Sequence, residues 1–256
     1  MRNTNISIRG IKQKIYDQFS FYPSDDTINS SIHNLNCEFN KSQEVSKYYS
    51  PISIDVEDNK IKLNGKIKKA LGKPIFKTYL TDIINYSKTI FSSAYIKESY
   101  INGFLLYQKY SRKDVCRILN WEKDEASTVY GYRIKNNTCP IFVTYNKNEQ
   151  ISESTKYEDQ FINNQQFSWM TRSRVKMDSK EIIELQNYEN LGLRILLFIK
   201  KSDSEGSDFY YMGDVIPLSF IQTTIRNSDA AELPIVNIQY KMLQPVEEKM
   251  YEYITN

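Results

Sequence analysis

Between Ile141 and Arg174 the chain reads IFVTYNKNEQISESTKYEDQFINNQQFSWMTRSR, and aromatic rings recur in it among hydrogen-bonding side chains and arginines. Those stretches read as too polar to be core. Tyr145, Tyr157, Phe167 and Trp169 supply rings on which a flat ligand can stack. Asp159 supplies an acceptor, Thr171 a hydroxyl, and Arg172 and Arg174 supply cations suited to phosphate. A site of that make-up suits a flat, polar, partly anionic ligand such as a nucleobase. A second anion-binding candidate lies upstream, where Ser111-Arg112-Lys113-Asp114 fits a capping box before Val115, so that Ser111, Arg112 and Lys113 gather at a helix start.

Two kinds of element must position these residues. In the first part, Ile8, Ile11, Ile15 and Phe19 recur at helical spacing, and Ile28, Ile32 and Leu35 begin another short helix. Residues 52–56 and 61–63 alternate with period two around the turn Glu57–Lys60, which predicts a hairpin. Helix, helix, hairpin is the order of a small winged-helix module. Leu71, Gly72 and Pro74 then end one helix and start a longer one through Tyr79, Leu80, Ile83, Ile84 and Ile90. The second part is mostly strands: 129–134, an Asn136-Asn137 turn, 141–145, 193–200 and 209–215 around the turn Ser202–Ser207, and 234–240. Short helices are expected from Ser111, over 180–189 and over 246–254. This pattern predicts an α+β protein, a helical, winged-helix-like domain over residues 1–98 followed by a curled mixed sheet or small barrel over 99–256.

Composition narrows the classes. With 256 residues, 40% hydrophobic and 25% charged, the chain can form one large or two modest globular domains. It has no apolar run of about 18 residues and no signal-peptide pattern at its start. Cys37, Cys116 and Cys139 are widely spaced, and with the single His33 they form no metal-ligand pattern. A soluble cytosolic protein with reduced thiols and no cofactor is the expectation. The net charge of +3 is unevenly spread: residues 1–98 carry 15 Lys+Arg against 10 Asp+Glu, or +5, and residues 99–256 carry 19 against 21, or −2. A weak basic bias favours nucleic acid in the first part, whereas the second needs a local patch.

Several separated motifs carry a family resemblance: Tyr107-x-x-Tyr110-Ser-Arg-Lys-Asp-Val, Gly131-Tyr132, Cys139-Pro-Ile-Phe-Val-Thr-Tyr, Tyr157-x-Asp159-x-Phe161, Phe167-x-Trp169-x-Thr-Arg and the run from Lys200 to Gly213. Their order resembles, over about residues 65–256, the C-terminal domain, long of unknown function, that follows a helicase core in many bacterial proteins. Its best understood members look like type IV, methylation-dependent restriction enzymes with a phospholipase-D-like nuclease and a superfamily-2 motor. The resemblance implies a reader of 5-methylcytosine in double-stranded DNA, similar in fold to base-flipping SRA and PUA-like barrels, with a helical coupler to the motor. Its implied partners are modified DNA and helicase and nuclease domains, in cis or trans. The sequence has neither a G-x-x-x-x-G-K-[ST] phosphate loop nor a histidine–lysine nuclease pair, which favours a C-terminal fragment over a stand-alone reader.

Enclosing a base requires extracting it from the duplex, at a cost of a few kcal/mol. Stacking on a ring returns about 1–3 kcal/mol, so two rings offset the extraction. Asp159 would then accept from the cytosine amino group. Each assignment has a packing alternative. Tyr157 and Phe161 fit one face of a short helix, Trp169 fits a core anchor, and Asp159 fits a cap or an arginine partner. Two other functions also fit: a metal-dependent nuclease using Asp159, Glu158 and Lys147 or Lys156, and a scaffold whose aromatic surface binds a protein.

Overall fold

A computed structural model describes residues 6–39, 53–95, 100–146, 159–226 and 231–256. The chain forms two compact units: residues 1–100 with 116–125, and residues 101–115 with 126–256. No helix among the described residues is long and apolar enough to cross a membrane.

The first unit is helical with a small sheet. Strand β1 (Ile6–Ser7) leads into α1 (Ile8–Phe19), and α2 (Asp25–Leu35) follows. Both helices start at serines whose hydroxyls accept backbone N–H groups, Ser7 from Gly10 at 3.0 Å and Ser24 from Thr27 at 3.1 Å. Ser20 ends α1 in the left-handed conformation (φ 53°). The expected hairpin is β2 (Ile54–Glu57) and β3 (Lys60–Leu63), although Ile52 lies outside the described residues. Asp58 and Asn59 turn it with φ of 49° and 57°, the positive pair that a two-residue hairpin loop needs. β1 adds to β3, giving the order β1-β3-β2. The buried Asn36 ties α2 to this sheet: its side chain donates to Ile54 O and accepts from Ser53 and Ile54 N–H. Then come α3 (Gly65–Leu71) and α4 (Pro74–Tyr95), with proline in the first turn of the longer helix.

The second unit is the expected curled sheet. After β4 (Tyr100–Ile101), β5 (Phe104–Leu105), β6 (Lys109–Tyr110) and α5 (Arg112–Ile118) come β7 (Thr138–Asn146), β8 (Gln160–Asn163), β9 (Gln166–Met170), α6 (Lys180–Gln186), α7 (Tyr188–Leu191), β10 (Arg194–Ser202), β11 (Phe209–Arg226), β12 (Glu232–Met242) and α8 (Glu248–Thr255). The sheet order is β7-β10-β11-β12-β9-β8, with β6 beside the start of β11. β7 and β10 are parallel, and the other pairs are antiparallel.

The 18-residue β11 makes the curl. Its first part pairs with β10 and its remainder with β12, and register shifts fall opposite Met212 and beside Leu218. The curl brings the two end strands together. Tyr145 on β7 lies 6.1 Å from the Phe161 ring on β8, and its hydroxyl accepts the Phe161 N–H at 3.4 Å.

Residues 129–134 correct the strand expected there. They make a single isolated bridge, Tyr132 opposite Ile141, because Gly131 at φ 78° breaks the extended path. The concave face of the sheet is filled by Cys139, Ile141, Leu197, Val236, Ile238 and Tyr240, with Ile182 and Leu185 of α6 and Ile254 of α8 packed in. The other face carries an aromatic cluster of Phe104, Phe142, Phe198, Phe209 and Tyr211.

Candidate functional site

The sequence-nominated residues divide by burial. Phe167 is 0% and Trp169 3% exposed, both inside the core. Alternation along β9 sends these two rings to the same face, toward the interior of the curl. Trp169 stands edge-on to Tyr132, with centroids 4.8 Å apart, and tilts against Tyr240 at 6.1 Å. In this conformation neither ring presents a face to a ligand. Thr171 is also fully buried, and it extends the β9–β12 ladder: its hydroxyl accepts from Val236 N–H and its own N–H donates to Val236 O, each at 3.0 Å. Asp159 accepts from Met170 N–H at 3.0 Å, which holds the mouth of the β8–β9 hairpin. Tyr157, Glu158, Lys147 and Lys156 lie outside the described residues.

At the helix start of α5, Ser111 caps as expected, accepting from Asp114 N–H at 3.1 Å and donating to the Asp114 carboxylate at 2.6 Å. Arg112 points away from solvent. Its guanidinium lies over Phe209 at 4.7 Å and Phe142 at 5.2 Å, its Nε is buried with no hydrogen-bond partner, and burial lowers its pKa. Lys113 is half-buried beside it. These three do not converge with Arg172 and Arg174. Arg174 is exposed at φ 72°, and its backbone N–H donates to Pro234 O at 2.7 Å.

Arg172 belongs to a pocket of about 300 Å³ whose lining includes Thr128, Tyr132, Arg133, Lys180, Glu181 and Glu184. α6 starts behind Ser179, so Lys180, Glu181 and Glu184 project from its first turns toward the 128–134 segment. Glu181 is the hub. The Tyr132 hydroxyl donates to its Oε1 at 2.6 Å, and Arg172 Nη2 donates to its Oε2 at 2.6 Å. The Arg172 guanidinium also lies over the Tyr132 ring at 5.1 Å. Burial pushes the Tyr132 phenol far up, and its hydrogen bond to Glu181 adds to the shift, so it stays a neutral donor. Arg133 donates to Thr128 Oγ1 at 2.8 Å, and Lys180 pairs with Glu184 at 3.6 Å.

Beneath Tyr132 lie Trp169 and Tyr240, and the Tyr240 hydroxyl is fully buried without a partner. The pocket therefore has an aromatic floor, two carboxylates, Glu181 and Glu184, each paired with a cation, and three cations at its walls. It can take a small planar group bearing an amino donor and hold an anion beside it.

Sequence reasoning found Arg172 and Trp169 but missed Tyr132, Glu181, Arg133 and Lys180. Gly131-Tyr132 stood among the motifs of the resemblance, yet nothing local tied it to a carboxylate 49 positions away. The first unit has a broader depression of about 680 Å³, lined by Gln18, Asn85, Lys88, Thr89, Ser92 and Ser93, with one charged group.

Residues 104–254 match a family described as a domain of unknown function (DUF3427), and residues 1–95 match another so described (DUF8090). No curated protein matches. Among solved structures the chain is similar to the DNA modification-dependent restriction endonuclease AspBHI (13% identity, 48% of this chain and 36% of that chain, TM-score 0.32). It is also similar to the MspJI restriction endonuclease in complex with a 27-mer oligonucleotide (9%, 62% and 47%, TM-score 0.35). A third similarity is to the sulfur binding domain and SRA domain of ScoMcrA complexed with phosphorothioated DNA (7%, 59% and 45%, TM-score 0.34). The match thus spans less than half the length of each of those chains.

Proposed function

We propose that this chain, which belongs to the DUF3427 family, is a DNA-recognition module that reads a modified cytosine in an extruded state and does no chemistry on it. The observation that carries the reading is the pocket at Glu181. An amino group of a base is a donor, and Glu181 is a carboxylate already fixed by two donors, one of which, Arg172, is half-exposed and can leave. When Arg172 swings to a flanking phosphate, it frees one carboxylate oxygen and uncovers the Tyr132 ring. Trp169 then acts one layer below, holding Tyr132 edge-on. The ordered motifs around Tyr132 and Trp169, which resemble the tail of methylation-dependent restriction enzymes, support the choice of cytosine.

The test is a titration of the whole chain against duplexes identical except for methylation. Tighter binding to the methylated duplex is expected. Glu181→Gln should weaken binding to the methylated duplex by about 1.5–3 kcal/mol, the usual weight of a hydrogen bond to a charged group. Equal affinity for both duplexes would sink the reading. So would Mg²⁺-dependent cutting of plasmid that disappears in Asp159→Ala, which is the nuclease alternative.

A further inference from the structure

Between Asp58 and Asp82 the chain carries seven lysines and no carboxylate. Lys62 pairs with Glu57 at 2.6 Å. The five from Lys66 to Lys77, on α3 and the start of α4, are exposed and make no ion pair among the described residues. Three of them stand where the fold disfavours a cation. Lys66 lies in the first turn of α3, Lys73 immediately precedes Pro74 at the start of α4, and Lys77 closes the first turn of α4. Neither first turn holds an acidic residue. The N-terminal end of a helix already carries a partial positive charge, so helix stability gives no reason for these three. Lys68 and Lys69, in the last turn of α3, do have the dipole in their favour. On α3 the lysines take the side away from Ile67, Ala70 and Leu71, which are part-buried.

We propose that this lysine face holds the phosphate backbone of double-stranded DNA, without reading its sequence or its modification. Charge complementarity commits it to a polyanion, and the residue types narrow the class. Lysine is a point charge on a flexible stem, which suits a row of phosphates and reads no base edge. Protein–protein contacts are poor in lysine and rich in arginine and aromatic anchors, whereas residues 59–75 hold neither an arginine nor a ring. The lack of a ring there also denies unstacked bases a platform, which favours duplex over single strand. A membrane surface would require α3 to bury its apolar side in lipid, and that side is already turned into the fold. The face thus adds affinity that is blind to methylation, in addition to the discrimination assigned to the pocket at Glu181.

Titration of the whole chain with an unmethylated duplex across a range of salt tests it. Lys66→Gln, Lys73→Gln and Lys77→Gln together should weaken binding by about tenfold or more at low salt. They should also reduce the slope of log Kd against log salt by about two to three, since each phosphate contact contributes about 0.9. The Tm of this triple variant should hold or rise, because the charges removed oppose the helix dipoles. The ratio of its affinities for methylated and unmethylated duplex should match that of the unaltered chain. An unchanged slope overturns the proposal. Weaker binding that comes with a lower Tm assigns the lysines to the fold and overturns it as well. So does tighter binding of the unaltered chain to phosphatidylserine vesicles, or to a single strand, than to the duplex. If the unaltered chain binds both duplexes equally while the triple variant loses slope, the pocket reading fails and this one holds.

Discussion

Trp169 shows how one side chain serves a site without facing it. Its ring fills the space under Tyr132 and against Tyr240, so its removal leaves a cavity that the closed strands of the curl cannot fill. Trp169→Ala should therefore lower stability by about 3–5 kcal/mol, read as a denaturant midpoint, whether or not DNA is present. An unchanged midpoint would show that Trp169 is loosely held and return it to the list of stacking platforms. Arg194 is a contrasting residue. It donates to Asp214 through Nε at 2.6 Å and Nη2 at 3.0 Å, and to Asn102 O at 3.1 Å, while Tyr211 donates to the same carboxylate at 2.6 Å. That closed network fixes the chain entering the second unit and leaves Asp214 unavailable for ligand.

Among the elements, β11 decides the shape. Gly213 sits at φ 112°, where β10 and β11 change register, and the extra residue Met212 bends the strand. A Cβ there would meet Leu106 Cδ2 at 3.5 Å and Met242 Cε at 4.0 Å, so space is ordinary and the cost is backbone strain. Gly213→Ala should destabilise by about 1–3 kcal/mol, with a matching fall in Tm. A neutral substitution would mean that the bend does not depend on this conformation. The β8–β9 hairpin and the second half of β11 escaped sequence reading for one reason: stretches such as Gln160–Asn163 and Ser219–Arg226 mix polar and apolar residues on partly solvated strands, and periodicity is weak there.

Taken as a whole, the second unit buries several phenols, and this sets its response to alkali. Burial raises the pKa of Tyr132, Tyr211 and Tyr240 above the usual 10.0, with Glu181 and Asp214 adding to the first two. Above that value the unfolded chain releases phenolic protons that the folded chain retains, so folding loses ground as pH rises. Stability should hold from neutral pH to the usual phenol value and then fall by about 1.4 kcal/mol per pH unit for each retained proton. Urea midpoints across that range check it, and a flat profile would mean that these hydroxyls reach solvent.

The sequence by itself determined what local forces decide. Helices α1 to α4 follow from capping serines, Gly72, Pro74 and apolar spacing. The turns at Asp58-Asn59 and Asn136-Asn137 follow from residues that tolerate positive φ, and β7, β10 and the start of β11 follow from apolar runs. Only the tertiary structure decided which aromatics are open and which are core. Phe167 and Trp169 sit beside polar neighbours in sequence, yet alternation on β9 turns both rings inward. It also brought Glu181 from a helix to Tyr132 from an irregular segment, and placed Cys116–Glu125 with the first unit although it interrupts the second in sequence. Contacts between residues far apart in sequence have energies that no short window contains, because they depend on how a long bent strand curls the sheet around its core.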